Sequence, residues 1–295
     1  MDFTTLIDVE SLRALLGTPG IAVLDCRFDL AAPDAGRQAY LRSHIPGARY
    51  VDLNRDLSAP VSAASGRHPL PDPQALATLF RSLGVSPGTQ TIVYDESNGS
   101  FAARAWWLLR WLGHAKVAVL DGGMSAWLRG GGATESGEPR QGAAGHSAAG
   151  AVAAGSHAAS SARADRRGAL GADELISALK NPRTLLIDAR APERYAGAVE
   201  PIDPVPGHIP GAVNHPFSSN LQNDGRFLPP EELQRRWRDR LGEASPADVI
   251  VMCGSGVTAC HNLLALERAG LPGARLYAGS WSEWIRDPRR PVARG

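Results

Sequence analysis

The sequence predicts an α/β protein built as two tandem copies of one domain, each a largely parallel sheet flanked by helices. Three observations predict it. The 295 residues leave room for about two domains. Segments of the two halves match in order: Leu24-Asp25-Cys26-Arg27 with Ile187-Asp188-Ala189-Arg190, and His44-Ile45-Pro46-Gly47-Ala48 with His208-Ile209-Pro210-Gly211-Ala212. Further on, Thr91-Ile92-Val93-Tyr94-Asp95 matches Val249-Ile250-Val251-Met252-Cys253, and residues 121–127 match 278–284. Matched residues stay roughly 160 positions apart, which is duplication with small indels rather than chance. Within each copy, strand-like and helix-like stretches alternate, the pattern of a parallel sheet covered on both faces.

The elements follow from residue type. Residues 21–24 and 91–94 are short apolar, β-branched runs that read as buried strands. Residues 102–112 carry Trp106, Leu109 and Leu112 on one helical stripe, and Gly113 is placed to stop that helix. Residues 133–163 are dominated by Ala, Gly and Ser without a sustained apolar period, so they read as a flexible linker. The expected organisation is therefore a first domain over 1–132, a linker over 133–163 and a second domain over 164–295. His146 and His157 lie in the linker with no ligand cluster around them, and no metal site is expected there. In the second copy, 184–187 and 249–252 read as strands. Residues 258–269 read as a helix with Cys260, Leu263, Leu264 and Glu267 on one face, stopped by Gly270. Ligands bind such sheets at the carboxyl ends of the strands.

Composition removes several function classes. The 31 basic and 30 acidic side chains give a net charge of +1, without the bulk positive charge that nucleic-acid binding favours. The 32 glycines and 22 prolines fall short of the roughly 25–30% typical of disordered chains. No apolar run approaches the ~18 residues of a membrane span. The segment MDFTTLIDVE is acidic and has no basic n-region, so no signal peptide is read and a cytoplasmic protein is expected. Three cysteines, without a CxxC pair or zinc spacing, argue against a disulfide framework and point to one reactive thiol. Neither a metal nor a cofactor is expected.

That thiol is Cys253. It stands where the strand 249–252 ends, and Cys253-Gly254-Ser255-Gly256-Val257-Thr258 leads into the next helix. Two alternating glycines let successive N–H groups turn inward as an anion-binding nest, and the helix start adds its positive dipole end. A thiol there is expected to ionise readily, and the same amides can hold a second, negatively charged sulfur. The loop suits a nucleophilic cysteine that carries a persulfide. The first copy supplies a control: Asp95-Glu96-Ser97-Asn98-Gly99-Ser100 puts carboxylates where the thiol would be. The first domain is expected to be catalytically silent.

The tandem layout, both HIPGA motifs, CGSGVTA at 253–259 and GSWSEW at 279–284 resemble the two-domain rhodanese family of sulfurtransferases over nearly the whole chain outside the linker. The loop is similar to the mercaptopyruvate-type branch. Thiosulfate-preferring members carry basic residues in that loop, and this chain does not. The resemblance implies that Cys253 takes a sulfane sulfur from a small donor, 3-mercaptopyruvate or alternatively thiosulfate, and passes it to a thiol or cyanide. Thioredoxin and glutathione are among the acceptors left open. Ser255 is the candidate to relay a proton or polarise the donor. The resemblance also implies a histidine and an acidic residue reaching the loop from the silent domain. His68 in Gly66-Arg67-His68-Pro69 matches, and Asp56 is the acidic candidate. Arg194 matches a family arginine that binds the donor anion, with Gly254, Gly256, Val257 and Thr258 as the loop that holds it. A second family arginine is replaced here by Glu200-Pro201-Ile202-Asp203, which leaves thiosulfate open as donor.

Duplicated residues read as structural. Asp25 with Arg27 and Asp188 with Arg190 occur in both copies and are expected to be ion pairs; His44 and His208 are expected to shape a turn. Cys26, Cys260, Trp281 and Trp284 read as packing residues, with Trp281 also able to wall the pocket. Among rivals, a cysteine phosphatase needs an arginine six residues after the thiol, where Ala259 stands. A serine hydrolase needs GxSxG, which Gly254-Ser255-Gly256 lacks. A non-enzymatic sulfur relay is opposed by the intact cysteine loop.

Overall fold

The computed structural model describes residues 2–96, 98–138 and 168–295. His146, His157 and the part of the expected linker from 139 onward lie outside the described residues. In the first unit the order is β1 (Leu6–Ile7), α1 (Val9–Leu15), β2 (Ile21–Asp25), α2 (Ala35–Arg42), β3 (Arg49–Tyr50), α3 (Pro73–Ser82), β4 (Gln90–Tyr94), α4 (Ala102–Trp111), β5 (Val117–Leu120) and α5 (Gly123–Arg129). The second unit runs β6 (Ala169–Leu170), α6 (Ala172–Ala178), β7 (Leu185–Asp188), α7 (Pro192–Ala196), β8 (Val213–Asn214), α8 (Pro230–Leu241), β9 (Val249–Met252), α9 (Thr258–Arg268), β10 (Arg275–Tyr277) and α10 (Ser280–Trp284). The sheet order β1-β5-β4-β2-β3 recurs as β6-β10-β9-β7-β8, and the strand pairs are parallel. The α/β duplication expected from the repeat is the architecture observed.

Side-chain alternation sets the layers. In β4, Val93 joins the core shared by both units while Ile92 and Tyr94 face the first unit's own outer core. In β9, Val249 and Val251 point to the shared core and Ile250 and Met252 away from it. Helices α4 and α9 pack on each other in that shared layer, and both are buried on nearly every side, with Arg104 of α4 and His261 and Asn262 of α9 among the buried residues. Each ends one residue before the position expected. Gly113 and Gly270, at φ +86° and +70°, turn the chain so that His114 N–H bonds Leu109 O and Leu271 N–H bonds Leu266 O, both at 2.9 Å.

The duplicated polar residues do the same structural work twice. Arg27 grips Asp25 and Arg190 grips Asp188 through forked, buried ion pairs at 2.6 and 2.7 Å, closing the ends of β2 and β7. His44 stacks on Tyr40 and His208 on Tyr195, each with Nδ1 donating to the carbonyl of the same tyrosine at 2.8 Å. Residues 133–138 at the head of the expected linker lie against the first unit: His44 and Glu135 exchange backbone hydrogen bonds at 2.9 Å.

Candidate active site

Strand β9 ends at Met252, so the next residue emerges at the carboxyl edge of the sheet. There Cys253 is 2% exposed, and its Sγ accepts a hydrogen bond from Gly256 N–H at 3.1 Å. Gly256 must be glycine twice over. Its φ is +78°, and a Cβ would lie 2.2 Å from Ala278 O. Val257 is buried in the shared core and Thr258 opens α9, which carries the helix start beneath the thiol. The loop is tied to α10: Trp281 N–H bonds Cys253 O at 3.0 Å and Ser282 N–H bonds Gly254 O at 2.9 Å. Cys253 N–H is taken by the Ser280 hydroxyl at 3.0 Å, which itself donates to Tyr277 O at 2.9 Å.

The first unit builds the same loop around a different group. Met124 N–H bonds Asp95 O and Ser125 N–H bonds Glu96 O, repeating the ties between α10 and the Cys253 loop. Asp95 is buried, and its carboxylate accepts from the amides of Gly99, Phe101 and Ala102 at 2.9 to 3.2 Å. An amide cradle that receives its own side-chain carboxylate has little left for an external anion.

Residues of the first unit complete the second unit's site. His68 is buried and places Nδ1 2.7 Å from Ser255 Oγ, while Nε2 lies 3.1 Å from Asn54 Oδ1. With Asn54 Oδ1 accepting from Nε2–H, Nδ1 is the lone-pair side and takes the Ser255 hydroxyl proton. Burial, with help from the nearby Arg104 and Arg67 charges, lowers the His68 pKa to about 3, so the ring is neutral. Arg104, on α4, is fully buried and threads between the units. Its Nη1 donates to Gly256 O at 3.2 Å and its Nη2 to His68 O at 3.1 Å. Among the described residues no carboxylate pairs with it, and Arg104 Nε has no partner, so burial lowers its pKa.

At the mouth, Arg194 forms a fork onto Glu200 at 2.8 to 3.2 Å and also reaches Asp203 at 3.1 Å. Arg67 from the first unit pairs with the other oxygen of Asp203. Burial raises the Asp203 pKa, with the two arginines opposing. Both guanidiniums lie over Gly254: a Cβ there would be 2.9 Å from Arg67 Nη2 and 3.5 Å from both Nη atoms of Arg194. Among the described residues no group of His, Cys, Asp or Glu is arranged to hold a metal ion.

His68, Ser255, Arg194, Gly254 and Gly256 thus gather around Cys253. Asp56 does not join them. Its carboxylate folds back to accept Asp52 N–H at 2.7 Å as part of the 52–57 turn, and Asn54 meets His68 in its stead. Trp281 donates Nε1–H to Val205 O and lies under the Arg190 guanidinium, buried with Trp284 in the second unit's outer core. Cys260 is fully buried, and burial pushes its thiol up to about 12; Cys26 is buried and raised likewise. Sequence reasoning missed Asn54, Arg67, Arg104 and Ser280. Arg67 adjoins His68 and Asn54 adjoins the acidic candidate, but neither carries a spacing signal. Ser280 carried one, because its counterpart in the repeat is Gly123 and both adopt positive φ, +53° and +58°.

Residues 8–129 and 171–287 each match the rhodanese-like domain family. The chain is 48% identical over 297 positions to a Pseudomonas aeruginosa protein named "Probable 3-mercaptopyruvate sulfurtransferase", covering all of both chains. It is 35% identical to a thiosulfate sulfurtransferase of Cricetulus griseus, over 97% of this chain and 93% of that one. The crystal structure of the Escherichia coli 3-mercaptopyruvate sulfotransferase superposes with a TM-score of 0.76 at 32% identity, covering 95% of this chain and 100% of that one. With both domain matches falling on the two five-stranded units, the chain belongs to the rhodanese-like family, as a tandem two-domain sulfurtransferase.

Proposed function

We propose that Cys253 is the sulfur-carrying nucleophile of a ping-pong transfer from 3-mercaptopyruvate to a thiol or cyanide. The observation that carries this reading is the Sγ of Cys253 on the Gly256 amide, beside a Ser255–His68 pair whose histidine comes from the other unit. In the first half-reaction the Cys253 thiolate attacks the donor sulfur. The carbon–sulfur bond breaks with its electrons going to carbon, and the donor's S–H proton ends on that carbon. Products are pyruvate and the Cys253 persulfide anion. A neutral thiol then takes the outer sulfur as R–S–SH, or cyanide takes it as thiocyanate, and the thiolate returns.

A carbon leaving group needs a proton, and Ser255 hydrogen-bonded to neutral His68 is placed to relay one. Thiosulfate leaves as sulfite and needs none, so the pair favours mercaptopyruvate. Thiosulfate is the second reading, supported by the relatives that carry its name. Three free cysteines suit a reducing compartment such as the cytoplasm, where thioredoxin and glutathione would be available thiols. Among the described residues no helix is long and apolar enough to cross a membrane.

Two measurements test the reading. Incubated with donor alone, the protein is expected to gain the mass of one sulfur on Cys253, and Cys253→Ser is expected to abolish turnover. An adduct on Cys26 or Cys260, or turnover by the serine variant, would overturn it. Replacing His68 by Ala is expected to lower kcat/KM for mercaptopyruvate roughly 10²-fold or more and for thiosulfate far less. Equal losses with the two donors would remove the relay from the mechanism.

A further inference from the structure

Helix α4 drives a guanidinium into the seam between the units, behind the Cys253 loop. Arg104 is fully buried, and its hydrogen bonds go to carbonyls: Gly256 O at 3.2 Å, His68 O at 3.1 Å, Leu57 O at 3.4 Å and Pro69 O at 3.5 Å. A full charge buried among neutral partners is costly unless an anion offsets it. Two sulfurs, those of Cys260 and Cys253, lie within its electrostatic reach, and both oppose the effect of burial by favouring the charged guanidinium. That attraction is mutual, so the cation favours an anionic sulfur in turn. Cys260 stays a thiol, since burial pushes it up to about 12. The other groups facing Cys253 are already balanced: Arg67 and Arg194 are paired with Asp203 and Glu200, and the His68 ring is neutral. Among the described residues, no carboxylate does the same for Arg104.

The repeat sharpens the contrast. With Gly113 matched to Gly270, Arg104 falls on His261, whose Nε2–H donates to Asn98 O of the first unit's loop at 3.0 Å. Each helix thus reaches across to the other unit's loop. The loop built on Asp95, a fixed carboxylate seated on its own amides, receives a ring that burial keeps neutral; the loop built on Cys253 receives a cation. Arg104 Nη1 and Cys260 Sγ, at 3.2 and 3.3 Å, both donate to Gly256 O, while Gly256 N–H faces Cys253 Sγ at 3.1 Å. We propose that Arg104 is a positioning residue of the second unit's site: a buried counter-cation, supplied by the first unit, that fixes Gly256 on Cys253 and stabilises the anionic sulfur there, as thiolate and then as persulfide. This rests on the reading of Cys253 as the sulfur carrier.

The ionisation of Cys253 tests this, followed as the pH dependence of its alkylation by iodoacetamide, with the modified peptide identified by mass. Arg104→Met removes the charge and is expected to raise the midpoint by about 1–3 pH units. Arg104→Lys keeps the charge without the fork and is expected to stay within about half a unit of wild type. Donor kcat/KM of Arg104→Met is expected to fall roughly tenfold or more in mildly acidic buffer and to recover as pH is raised past the new midpoint. A residue that only braced the two units would leave the midpoint in place and lower kcat/KM by the same factor at every pH; either result would overturn the proposal. So would equal midpoint shifts in the Met and Lys variants, which share only the lost fork.

Should Arg104→Met fail to fold, Arg104→Lys decides alone: a midpoint within about half a unit of wild type supports the counter-cation, and a rise of more than about one unit overturns it. Alkylation needs no sulfur donor, which separates this outcome from failure of the underlying reading. A wild-type protein that acquires sulfur on Cys253, combined with an Arg104→Met thiol that titrates unchanged, sinks the counter-cation alone. A wild-type protein that acquires none, combined with a raised midpoint in Arg104→Met, sinks the sulfur-carrier reading and supports the pairing of Arg104 with the thiolate.

Discussion

Asn54 gives His68 an amide oxygen rather than a carboxylate at Nε2, and that difference sets how the histidine can act. An amide fixes the tautomer but adds no negative charge to offset the imidazolium, and Arg104 and Arg67 oppose protonation. The ring therefore works as a neutral acceptor for Ser255 rather than as a standing acid. Converting Asn54→Asp should raise the His68 pKa from about 3 by roughly 1–3 units, read by NMR titration of its ring protons. An unmoved titration would mean that Asn54 does not face the ring in solution. Ser280 is the second residue whose local chemistry bears on Cys253. It is the one non-glycine residue at positive φ among the described residues, and its hydroxyl satisfies the buried Cys253 N–H. Ser280→Ala keeps the backbone strain and orphans that amide, so a loss of about 1–3 kcal/mol in denaturant unfolding is expected. Ser280→Gly, which relieves the strain, should lose less.

At the scale of elements, the strand–loop–helix of the second unit and its copy in the first differ chiefly in what fills the amide cradle. Gly256 shapes the one around Cys253, and Gly256→Ala would force a Cβ against Ala278 O at a φ that L side chains avoid. Donor kcat/KM should fall at least tenfold, with roughly 1–3 kcal/mol of destabilisation from the overpacked contact. A fully active Gly256→Ala protein would show that the cradle tolerates another backbone path. These elements were legible because their signals are local and duplicated: apolar runs ending at Asp, glycines at helix ends, and a cysteine opposite an aspartate in the repeat. The repeat also marked His44, His208 and the Asp–Arg pairs, and both copies make the same ion pair and the same histidine–tyrosine stack. Asn54, Arg67 and Arg104 were illegible for the opposite reason. Arg67 and Arg104 meet their targets across the domain boundary, and Asn54 meets His68 between two irregular loop segments, at separations that no helical or strand period encodes. Arg104 in particular sits in a helix whose pattern gives no hint that an arginine will be fully buried.

The described residues of both units share one core, and the buried histidines belong to that arrangement. His261 on α9 donates Nε2–H to Asn98 O of the first unit at 3.0 Å, stacks on Phe227, and accepts from Asn220 Nδ2 at Nδ1. A second ring proton would meet a donor there, and burial lowers its pKa to about 3. His215, packed on Trp237, is lowered to about 4 by burial, and His68 to about 3. In the unfolded chain each titrates near 6.5. Between that value and the folded pKa the unfolded state binds more protons, so the stability these groups contribute is complete above pH ~6.5 and is lost as pH falls below it. Each histidine removes up to about 1.4 kcal/mol per pH unit in that window. Buried carboxyls with raised pKa, such as Asp203 and Asp121, act in the opposite sense but only nearer their own acidic range. At fixed ionic strength, Tm is expected to drop by roughly 10 °C or more from pH 7.5 to pH 5. His261→Phe cannot take up the proton and should flatten that dependence by about a third, whatever its effect on Tm at neutral pH. A Tm that is level across this range would mean that these rings reach water in the native state, and with it that the two units do not close over His68 and His261 as a single core.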